Sequence, residues 1–439
     1  MRNTRRKAIV QLVLAAPIVG IIGPAGLAAH TCAKGSCVNG HGLQVYPDGG
    51  SYEGHFRDGR FDGHGKRIFD DGGSYEGNFK GGRYEGKGTR EWGNGEKYVG
   101  DFKGGMKDGQ GTFTSASGRQ YVGGWKSNLH HGRGTETEAN GDVYEGEFVN
   151  GSRNGHGVMR LRNGRTYDGE WKDNLFHGQG KFTLPLDVTY EGEFKNGLYD
   201  GHGTVTFADG SIYVGDFKVG KWHGTGDFKR RNGVHYSGEF AEGQYNGKGT
   251  LTYADGGVYT GEFRAGRREG KGVLIYPDQG RYEGNFKNDW EEGQGKMSYP
   301  DGSVYVGDLR NGKRDGNGSL ELRNGQKYVG EFRNDHFDGK GVLSIPRQSV
   351  YKGDFRNGKY DGAGTLFLST GVSVSGQFRS GLLDGPCVLK LKDGAVLRGE
   401  YRYGVPDGRW SREEANGNRK EWQLKDGILN EIDQALRGI

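Results

Sequence analysis

The sequence predicts an all-β fold, an elongated single-layer antiparallel meander of tandem β-hairpins. Three observations predict it: glycine supplies 88 of the 439 residues, aromatic residues supply 12%, and tyrosine recurs at a fixed interval. A high glycine content is typical of low-complexity chains, but disordered segments carry few aromatic residues. Hydrophobic residues make up only 32% of the chain, too little for several domains with thick cores. We therefore expect a thin aromatic structure that repeats.

The repeat has a period of 23 residues. A tyrosine begins each of fourteen consecutive repeats, and the register continues at Val374 and Leu397 to give sixteen. The tyrosines are Tyr52, Tyr75, Tyr98, Tyr121, Tyr144, Tyr167, Tyr190, Tyr213, Tyr236, Tyr259, Tyr282, Tyr305, Tyr328 and Tyr351. A constant period indicates a tandem array in which each repeat packs on its neighbours. With partial repeats at both ends, the array is predicted to span residues 38–427.

We number each repeat from its tyrosine, so that Tyr190 is position 0 and Phe194 is position +4. Positions 0, +2 and +4 alternate with charged residues, which predicts a strand with one buried face. Positions +13, +15 and +17 form the second strand, and an Asp-Gly or Asn-Gly turn leads into the next repeat. Gly192 at +2 and Gly203 at +13 have no Cβ, so the rings are expected to lie directly on the backbone.

Position +7 is predicted to be a left-handed turn residue. It is glycine in twelve repeats, such as Gly197, and the exceptions are Asn128, Asn174, Asp289 and Asp335. Asparagine and aspartate are the other residue types that tolerate a positive φ best. The first strand of each hairpin is therefore expected to end here.

The segment YEGEFKNGLYDGHGT at residues 190–204 closely resembles the MORN repeat, with its Y-x-G-x-F-x-x-G-x-x-x-G-x-G signature. Comparable matches run from Tyr52 to Gly364, and weaker ones reach about residue 427. The resemblance implies a β array that serves as a scaffold, tether or dimerisation module. It also implies that some members bind acidic phospholipids. The structural residues of the repeat are Tyr190, Gly192, Phe194, Gly197, Gly201 and Gly203.

Residues 1–29 are predicted to be a signal peptide or a signal anchor. A basic flank at Arg2–Lys7 precedes 22 uncharged residues, which could be cleaved or could span a bilayer. An organelle transit peptide and a mispredicted start are further alternatives. The basic flank predicts a cytosolic N-terminus and repeats outside the cytosol, in the secretory pathway or anchored to a membrane. Because most relatives are cytosolic, the cytoplasmic face of a membrane is the alternative.

Residues 30–37 are assigned to a linker. Cys32 and Cys37 lie within it, and the sequence leaves open whether they form a disulfide or remain two thiols. At the other end, Ile428, Leu429, Ile432 and Leu436 recur at helical spacing. Residues 428–439 are therefore predicted to form a helix that caps the last strand, with a homodimer contact as the rival interpretation.

The net charge of +5 is accounted for by residues 1–40, which contain five basic residues and no acidic one. The array itself is neutral, and this argues against nucleic acid as a partner because such proteins present a broad positive field.

One face of the predicted sheet carries two charged rows. Position +3 is acidic in eleven repeats and position +5 is basic in fourteen. Either the two rows pair on a solvated face, or the basic row binds acidic phospholipid or an extended acidic partner. The candidate residues are Lys80, Lys103, Lys126, Lys172, Lys195, Lys218, Arg264, Lys287, Arg310, Arg333 and Arg356.

The sequence contains no nucleophile elbow, phosphate loop or paired-cysteine zinc pattern. Its histidines recur at +10 and +12 as repeat positions, without metal-ligand spacing. We therefore expect no catalytic residues, metal or cofactor. The predicted function is a non-enzymatic scaffold or tether that binds protein partners along the array, exported or membrane-anchored. The alternative is a peripheral membrane protein that binds acidic phospholipids through the basic row.

Overall fold

The computed structural model describes residues 30–186 and 188–424. Within these residues every regular element is a β-strand, which confirms the all-β prediction. The predicted N-terminal and C-terminal helices lie outside the described residues. The chain divides into two compact units, the first ending at Ser152 and the second beginning at Arg153.

The first unit is an antiparallel meander in which strands that are consecutive in sequence pair with each other. Its strands are β1 (Thr31–Gly35), β2 (Gly40–Val45), β3 (Ser51–Arg57), β4 (Arg60–Ile68), β5 (Ser74–Lys80), β6 (Arg83–Glu91), β7 (Lys97–Lys103), β8 (Met106–Thr114), β9 (Gln120–Lys126), β10 (Leu129–Thr137) and β11 (Val143–Val149).

In the second unit, too, strands that are consecutive in sequence pair antiparallel, and this unit contains more strands than the first. Its strands are β12 (Ser152–Arg160), β13 (Thr166–Lys172), β14 (Leu175–Leu184), β15 (Val188–Lys195), β16 (Leu198–Thr206), β17 (Ile212–Lys218), β18 (Lys221–Lys229), β19 (His235–Ala241), β20 (Gln244–Thr252), β21 (Val258–Arg264), β22 (Arg267–Ile275), β23 (Arg281–Lys287), β24 (Trp290–Ser298), β25 (Val304–Arg310), β26 (Lys313–Glu321), β27 (Lys327–Arg333), β28 (His336–Ile345), β29 (Ser349–Arg356), β30 (Lys359–Leu368), β31 (Ser373–Arg379), β32 (Leu382–Lys390), β33 (Val396–Arg402), β34 (Val405–Glu413) and β35 (Arg419–Leu424).

Each repeat turns through two residues that both have positive φ. Lys195 pairs with Leu198, and between them Asn196 has a φ of +53° and Gly197 a φ of +81°. Positive φ at both central residues is the geometry of the type I′ hairpin turn, which matches the twist of the flanking strands. The left-handed prediction for +7 is confirmed, and position +6 shares this conformation even where it is Val219.

A bulge interrupts each hairpin beyond the turn. Gly192 pairs with Gly203 and Phe194 pairs with Tyr199, so that residues 200–202 oppose Glu193 alone. A bulge of this kind needs a residue with a positive φ, which glycine adopts most readily. Gly201 supplies it with a φ of +106°, which explains the glycine at +11 in every repeat.

The glycines at +2 and +13 face each other across neighbouring strands and form a row in each unit, which in the second unit runs up to the repeat of Tyr351. In the second unit Gly203 pairs with Gly192 on one side and with Gly215 on the other. The Tyr190 ring lies on this row, because a Cβ at Gly203 would be 2.6 Å from the ring and one at Gly192 would be 2.4 Å from the Gly203 Cα. The Tyr190 hydroxyl donates to the Glu193 carbonyl at 2.7 Å. The predicted ring-on-backbone packing is confirmed.

A second layer of rings, which the sequence pattern did not predict, lies over nine of the tyrosines. Its residues occupy position +9 and stack on the tyrosine of their own repeat, as Tyr199 does on Tyr190 with centroids 3.8 Å apart. The stacked residues are Phe61, Tyr84, His130, Phe176, Tyr199, Trp222, Tyr245, Phe337 and Tyr360. The core is therefore two rings deep in these repeats, and Tyr190 is only 2% exposed.

The last registered repeat takes its ring from the second strand instead of the first. Leu397 replaces tyrosine at position 0, and Trp410 replaces glycine at +13. Trp410 is fully buried over Gly399, where a Cβ would lie 2.2 Å from the indole. Its Nε1 donates to the Asp407 carbonyl at 3.1 Å. A ring from the second strand thus fills the space that a tyrosine from the first strand fills elsewhere.

The segment assigned to a linker is structured. Residues 31–35 form β1, which pairs with β2, and Cys32 and Cys37 form a disulfide that closes the connection between them. The composition of residues 30–37 did not predict a strand, because β1 is held by its pairing with β2 and not by a pattern of its own. Cys387 is a free, buried thiol, and burial raises its pKa to about 12.

Candidate functional site

The face opposite the aromatic layer is the polar face, and its histidines make carboxylate contacts. His202 Nδ1 lies 3.2 Å from Asp216 Oδ1, and His235 Nε2 lies 2.6 Å from Asp227 Oδ2. The pKa of Asp216 is lowered, chiefly by the hydrogen bond it accepts from the Thr225 backbone. Among residues 30–186 and 188–424, no group of three or more His, Cys, Asp or Glu is arranged to hold a metal ion.

The glycine row forms the floor of an open groove on this polar face. In the second unit the groove occupies about 800 Å³ and crosses strands β16–β22. Its floor contains Gly215, Gly226 and Gly238, where no side chain rises above the sheet. One wall carries small and β-branched residues such as Thr250 and Thr260, whose hydroxyl groups lie 3.1 Å apart.

The first unit has an equivalent groove of about 850 Å³. Its floor contains Gly88, Gly100 and Gly111, and its walls include Thr112 and Val122. The same repeat positions therefore build a groove in each unit. The glycine pattern predicted the packing on the aromatic side alone. It did not reveal the groove, which lies between side chains of the polar face such as Thr112 and Val122.

The acidic row at +3 is held by the backbone. In eight repeats the carboxylate accepts a hydrogen bond from the N–H of position +12, at 2.8–3.2 Å, where the bulge leaves that donor free. These residues are Asp101, Glu170, Glu193, Asp216, Glu239, Asp308, Glu331 and Asp354. One oxygen of each of these carboxylates is therefore held by a bulge N–H, and the other remains available for an ion pair, as Asp101 Oδ1 is at 3.5 Å from Lys87 Nζ.

The predicted basic row lies along the edge formed by the type I′ turns, and all its members are exposed. In the second unit it divides into two parts. Arg310, Arg333 and Arg356 pair with the carboxylate at +10 of the same repeat, at 3.5–3.7 Å. The others make no ion pair with a carboxylate of the described residues. These unpaired cations are Lys172, Lys195, Lys218, Arg264 and Lys287, and Lys80, Lys103 and Lys126 are unpaired in the first unit.

Exposed apolar side chains lie between the unpaired lysines. Leu175 and Leu198 at position +8 are each 47% exposed, and Val219 at the turn is 62% exposed. Leu198 is the direct cross-strand partner of Lys195. Val219 also holds a φ of +51°, which is unfavourable for a β-branched residue. We call Lys172, Leu175, Lys195, Leu198, Lys218 and Val219 the lysine–leucine edge. Position +8 varies in type between repeats, which is why the sequence pattern did not reveal it.

A search of the described ranges for membrane-spanning segments found no helix long and apolar enough to cross a bilayer.

Comparison with solved structures gives distant likenesses. The TCP domain of SAS-4 from Drosophila melanogaster, solved with a proline-rich motif of Ana2, is 13% identical, with a TM-score of 0.26 over 40% of this chain and 90% of that chain. The TCP10 domain of Danio rerio CPAP, solved with a STIL peptide, is 13% identical, with a TM-score of 0.21 over 61% and 92%. Virginiamycin B lyase from Staphylococcus aureus is 9% identical, with a TM-score of 0.12 over 77% and 83%.

Comparison with curated protein sequences gave no match. The family model for the MORN repeat, in contrast, matches fifteen segments. They are residues 52–74, 75–97, 98–118, 121–143, 144–164, 167–185, 190–212, 213–234, 236–258, 259–281, 282–304, 305–327, 328–350, 351–373 and 375–396. These matches cover most of the chain and follow the tyrosine register. The chain belongs to the MORN-repeat family.

Proposed function

We propose that the protein is a non-enzymatic scaffold that binds a protein partner along the glycine-floored groove of its polar face. The observation that carries this proposal is the recurrence of the groove at the same repeat positions in each unit. A long open groove suits an extended polypeptide segment better than a small molecule, which usually occupies a concave pocket that surrounds it. Threonine hydroxyls on its wall supply hydrogen-bonding groups for such a segment.

We further propose that the repeats lie outside the cytosol. The charge pattern of residues 1–29 favours export or membrane anchoring. The disulfide between Cys32 and Cys37 supports this compartment, because disulfides persist in oxidising environments and are rare in the cytosol.

A photo-crosslinking amino acid at Thr250 tests the groove proposal in the cells that make the protein. Thr250 lies on the groove wall, so we expect discrete protein adducts from this position. The matched control is the same amino acid at Lys195, which lies on the lysine–leucine edge. Adducts to protein from Lys195 and none from Thr250 would contradict the groove as the partner site.

A second function, contact with an anionic membrane, is favoured by the lysine–leucine edge. Unpaired cations attract acidic headgroups, and each lysine near such a surface contributes about 1 kcal/mol. Exposed leucine and valine side chains can enter the interface beside them. The family resemblance supports the same alternative.

Vesicle sedimentation at low salt tests the membrane function. Replacing Lys172, Lys195 and Lys218 with glutamine is expected to weaken binding to phosphatidylserine vesicles by roughly 100-fold, since three such contacts contribute about 3 kcal/mol. The matched control replaces Arg310, Arg333 and Arg356 with glutamine, which removes cations already paired with carboxylates. Equal binding to phosphatidylcholine vesicles, or equal losses in the two variants, would contradict the membrane function.

A further inference from the structure

A pocket opens on the aromatic face, at the edge of the sheet opposite the type I′ turns. It occupies about 670 Å³ between the loops of two consecutive repeats. Phe207 and Phe228 supply its aromatic lining, and Arg230 and Arg231 supply its cationic lining. It is separate from the polar groove and from the lysine–leucine edge, so its role goes beyond the proposed function.

Further aromatic rings pack against the aromatic lining of the pocket. The Phe207 and Phe228 rings lie 6.0 Å apart at 62°, and Trp222 packs 4.9 Å from Phe228. Trp222 in turn stacks on Tyr213 at 4.2 Å. These contacts fix the two phenyl rings in position and leave Phe207 partly exposed to the pocket.

The cationic lining carries two guanidinium groups that form no ion pair with a carboxylate of the described residues. The Arg230 guanidinium lies 5.3 Å from the Phe228 ring centroid. The Arg231 backbone N–H donates to Ser211 Oγ at 3.2 Å, which fixes the loop that presents its side chain.

One carboxylate, Asp209, lies at the rim of the pocket. It accepts a hydrogen bond from the Ser211 N–H at 2.8 Å, and this bond is the largest cause of its lowered pKa. Asp209 is therefore charged at neutral pH. Two guanidinium groups against one carboxylate leave the pocket with a net positive charge.

We propose that this pocket binds an aromatic ring bearing a phosphate or sulfate group, such as a modified tyrosine side chain of a partner protein. The ring packs against Phe207 and Phe228 with the offset or edge contacts that aromatic groups prefer. The anionic group lies between Arg230 and Arg231, whose planar donors match phosphate and sulfate oxygens.

The chain contains a matched loop that lacks this chemistry. Around residues 299–323 the Arg323 backbone N–H donates to Ser303 Oγ at 3.3 Å, as Arg231 does to Ser211. The positions that correspond to Phe228 and Arg230 are Leu320 and Leu322. With Tyr299 in the place of Phe207, this loop presents one arginine and one aromatic ring instead of two of each, and it serves as an internal control.

Isothermal titration of the full chain with four probes tests the proposal: O-phosphotyrosine, O-sulfotyrosine, tyrosine and inorganic phosphate. Saturable binding is expected for either or both aryl anions, and the stronger of the two identifies the modification. Tyrosine and inorganic phosphate are expected to bind at least about tenfold more weakly, because each offers only half of the contacts.

Three variants complete the test. Arg230→Gln is expected to weaken aryl-anion binding about tenfold, and Arg323→Gln is expected to leave it unchanged. Asp209→Asn is expected to strengthen binding, because it removes the carboxylate at the rim of the pocket. The turn should be kept, since Asn232 at the corresponding position of the next repeat accepts the Val234 N–H in the same way. Unchanged thermal melting establishes that each variant is folded. Absence of saturable binding, equal binding of inorganic phosphate, or equal effects of Arg230→Gln and Arg323→Gln would overturn the proposal without affecting the groove or the edge.

Discussion

The repeats that begin at Tyr190 and Tyr305 share one backbone pattern but cover their tyrosines differently. In the first, the Tyr199 ring stacks on Tyr190 at 3.8 Å. In the second, Arg314 occupies the same position, with its Cζ 5.8 Å from the Tyr305 ring centroid. An aromatic side chain and a guanidinium thus fill the same space in the second layer.

The residue at +7 in the turn of the following repeat also differs between the two. Asp335 Oδ1 accepts hydrogen bonds from the Arg314 backbone N–H at 3.0 Å and from its Nε at 3.2 Å. The corresponding turn residue after Tyr199 is Gly220. A ring needs no acceptor there, whereas a cation in a half-buried position does.

This coupling extends to every repeat that has a cation at +9. The four cations are Lys107, Arg153, Arg268 and Arg314, and the next +7 residues are Asn128, Asn174, Asp289 and Asp335. In all four pairs the Oδ1 atom accepts the backbone N–H of the cationic residue at 2.8–3.0 Å. The four exceptions to glycine at +7 are therefore acceptors as well as residues that tolerate positive φ.

Alkaline pH is expected to have the largest effect, because it acts on a buried tyrosine in fourteen of the sixteen repeats. Burial raises the pKa of these phenols, for example to about 12 for Tyr52. Stability should therefore be constant below the unfolded value of about 10 and fall as the pH rises through the folded pKa. Arg314 opposes the rise at Tyr305, whereas Tyr199 adds to it at Tyr190.

Phenol absorbance and far-ultraviolet circular dichroism, followed together, measure this loss. Ionisation and unfolding should coincide as the pH rises above about 10. Ionisation near pH 10 with the strands intact would contradict the burial of the phenols.

Truncation of the residue at +9 is expected to lower the free energy of unfolding by different amounts in the two repeats. Tyr199→Ala removes a half-buried stacked ring and exposes Tyr190 to solvent, at a cost of about 2 kcal/mol. Arg314→Ala removes an ion pair that is partly exposed, and the expected cost is about 1 kcal/mol. Urea unfolding with hydrogen exchange at each repeat measures the difference. Equal losses would mean that the stacked ring contributes no more than the guanidinium.

The sequence predicted what repeats most strictly and missed what varies. The 23-residue register, the tyrosine on glycine and the turn at Gly197 follow from single positions with one physical requirement each. Position +9 was missed because its residue types range from tryptophan to arginine. What they share is a place over the tyrosine of their own repeat, as Tyr199 has over Tyr190 and Arg314 has over Tyr305. The polar groove was missed for a similar reason, since the residues that line it vary in type between repeats, as His202, Thr225 and Lys248 do at +12.

An exchange between the two repeat types tests the coupling directly. Asp335→Gly removes the acceptor for Arg314, and the expected cost is about 1 kcal/mol. Adding Arg314→Tyr should recover most of it, because a ring stacked on Tyr305 needs no acceptor. A double-mutant cycle measured by urea unfolding gives the coupling energy. Additive effects of the two substitutions would show that the positions are independent.

The smallest expected effects concern Gly197, which tests the turn conformation alone. Its φ is +81°, and an added Cβ would meet nothing closer than the Leu175 Cδ2 at 3.9 Å. Gly197→Ala should therefore destabilise by about 1 kcal/mol through backbone strain, without a steric clash. Gly197→Asn should cost only about a few tenths of a kcal/mol, because asparagine tolerates this region. Thermal melts compare the two variants. If alanine and asparagine had equal effects, asparagine and aspartate would occur at +7 only because they are acceptors for a cation at +9.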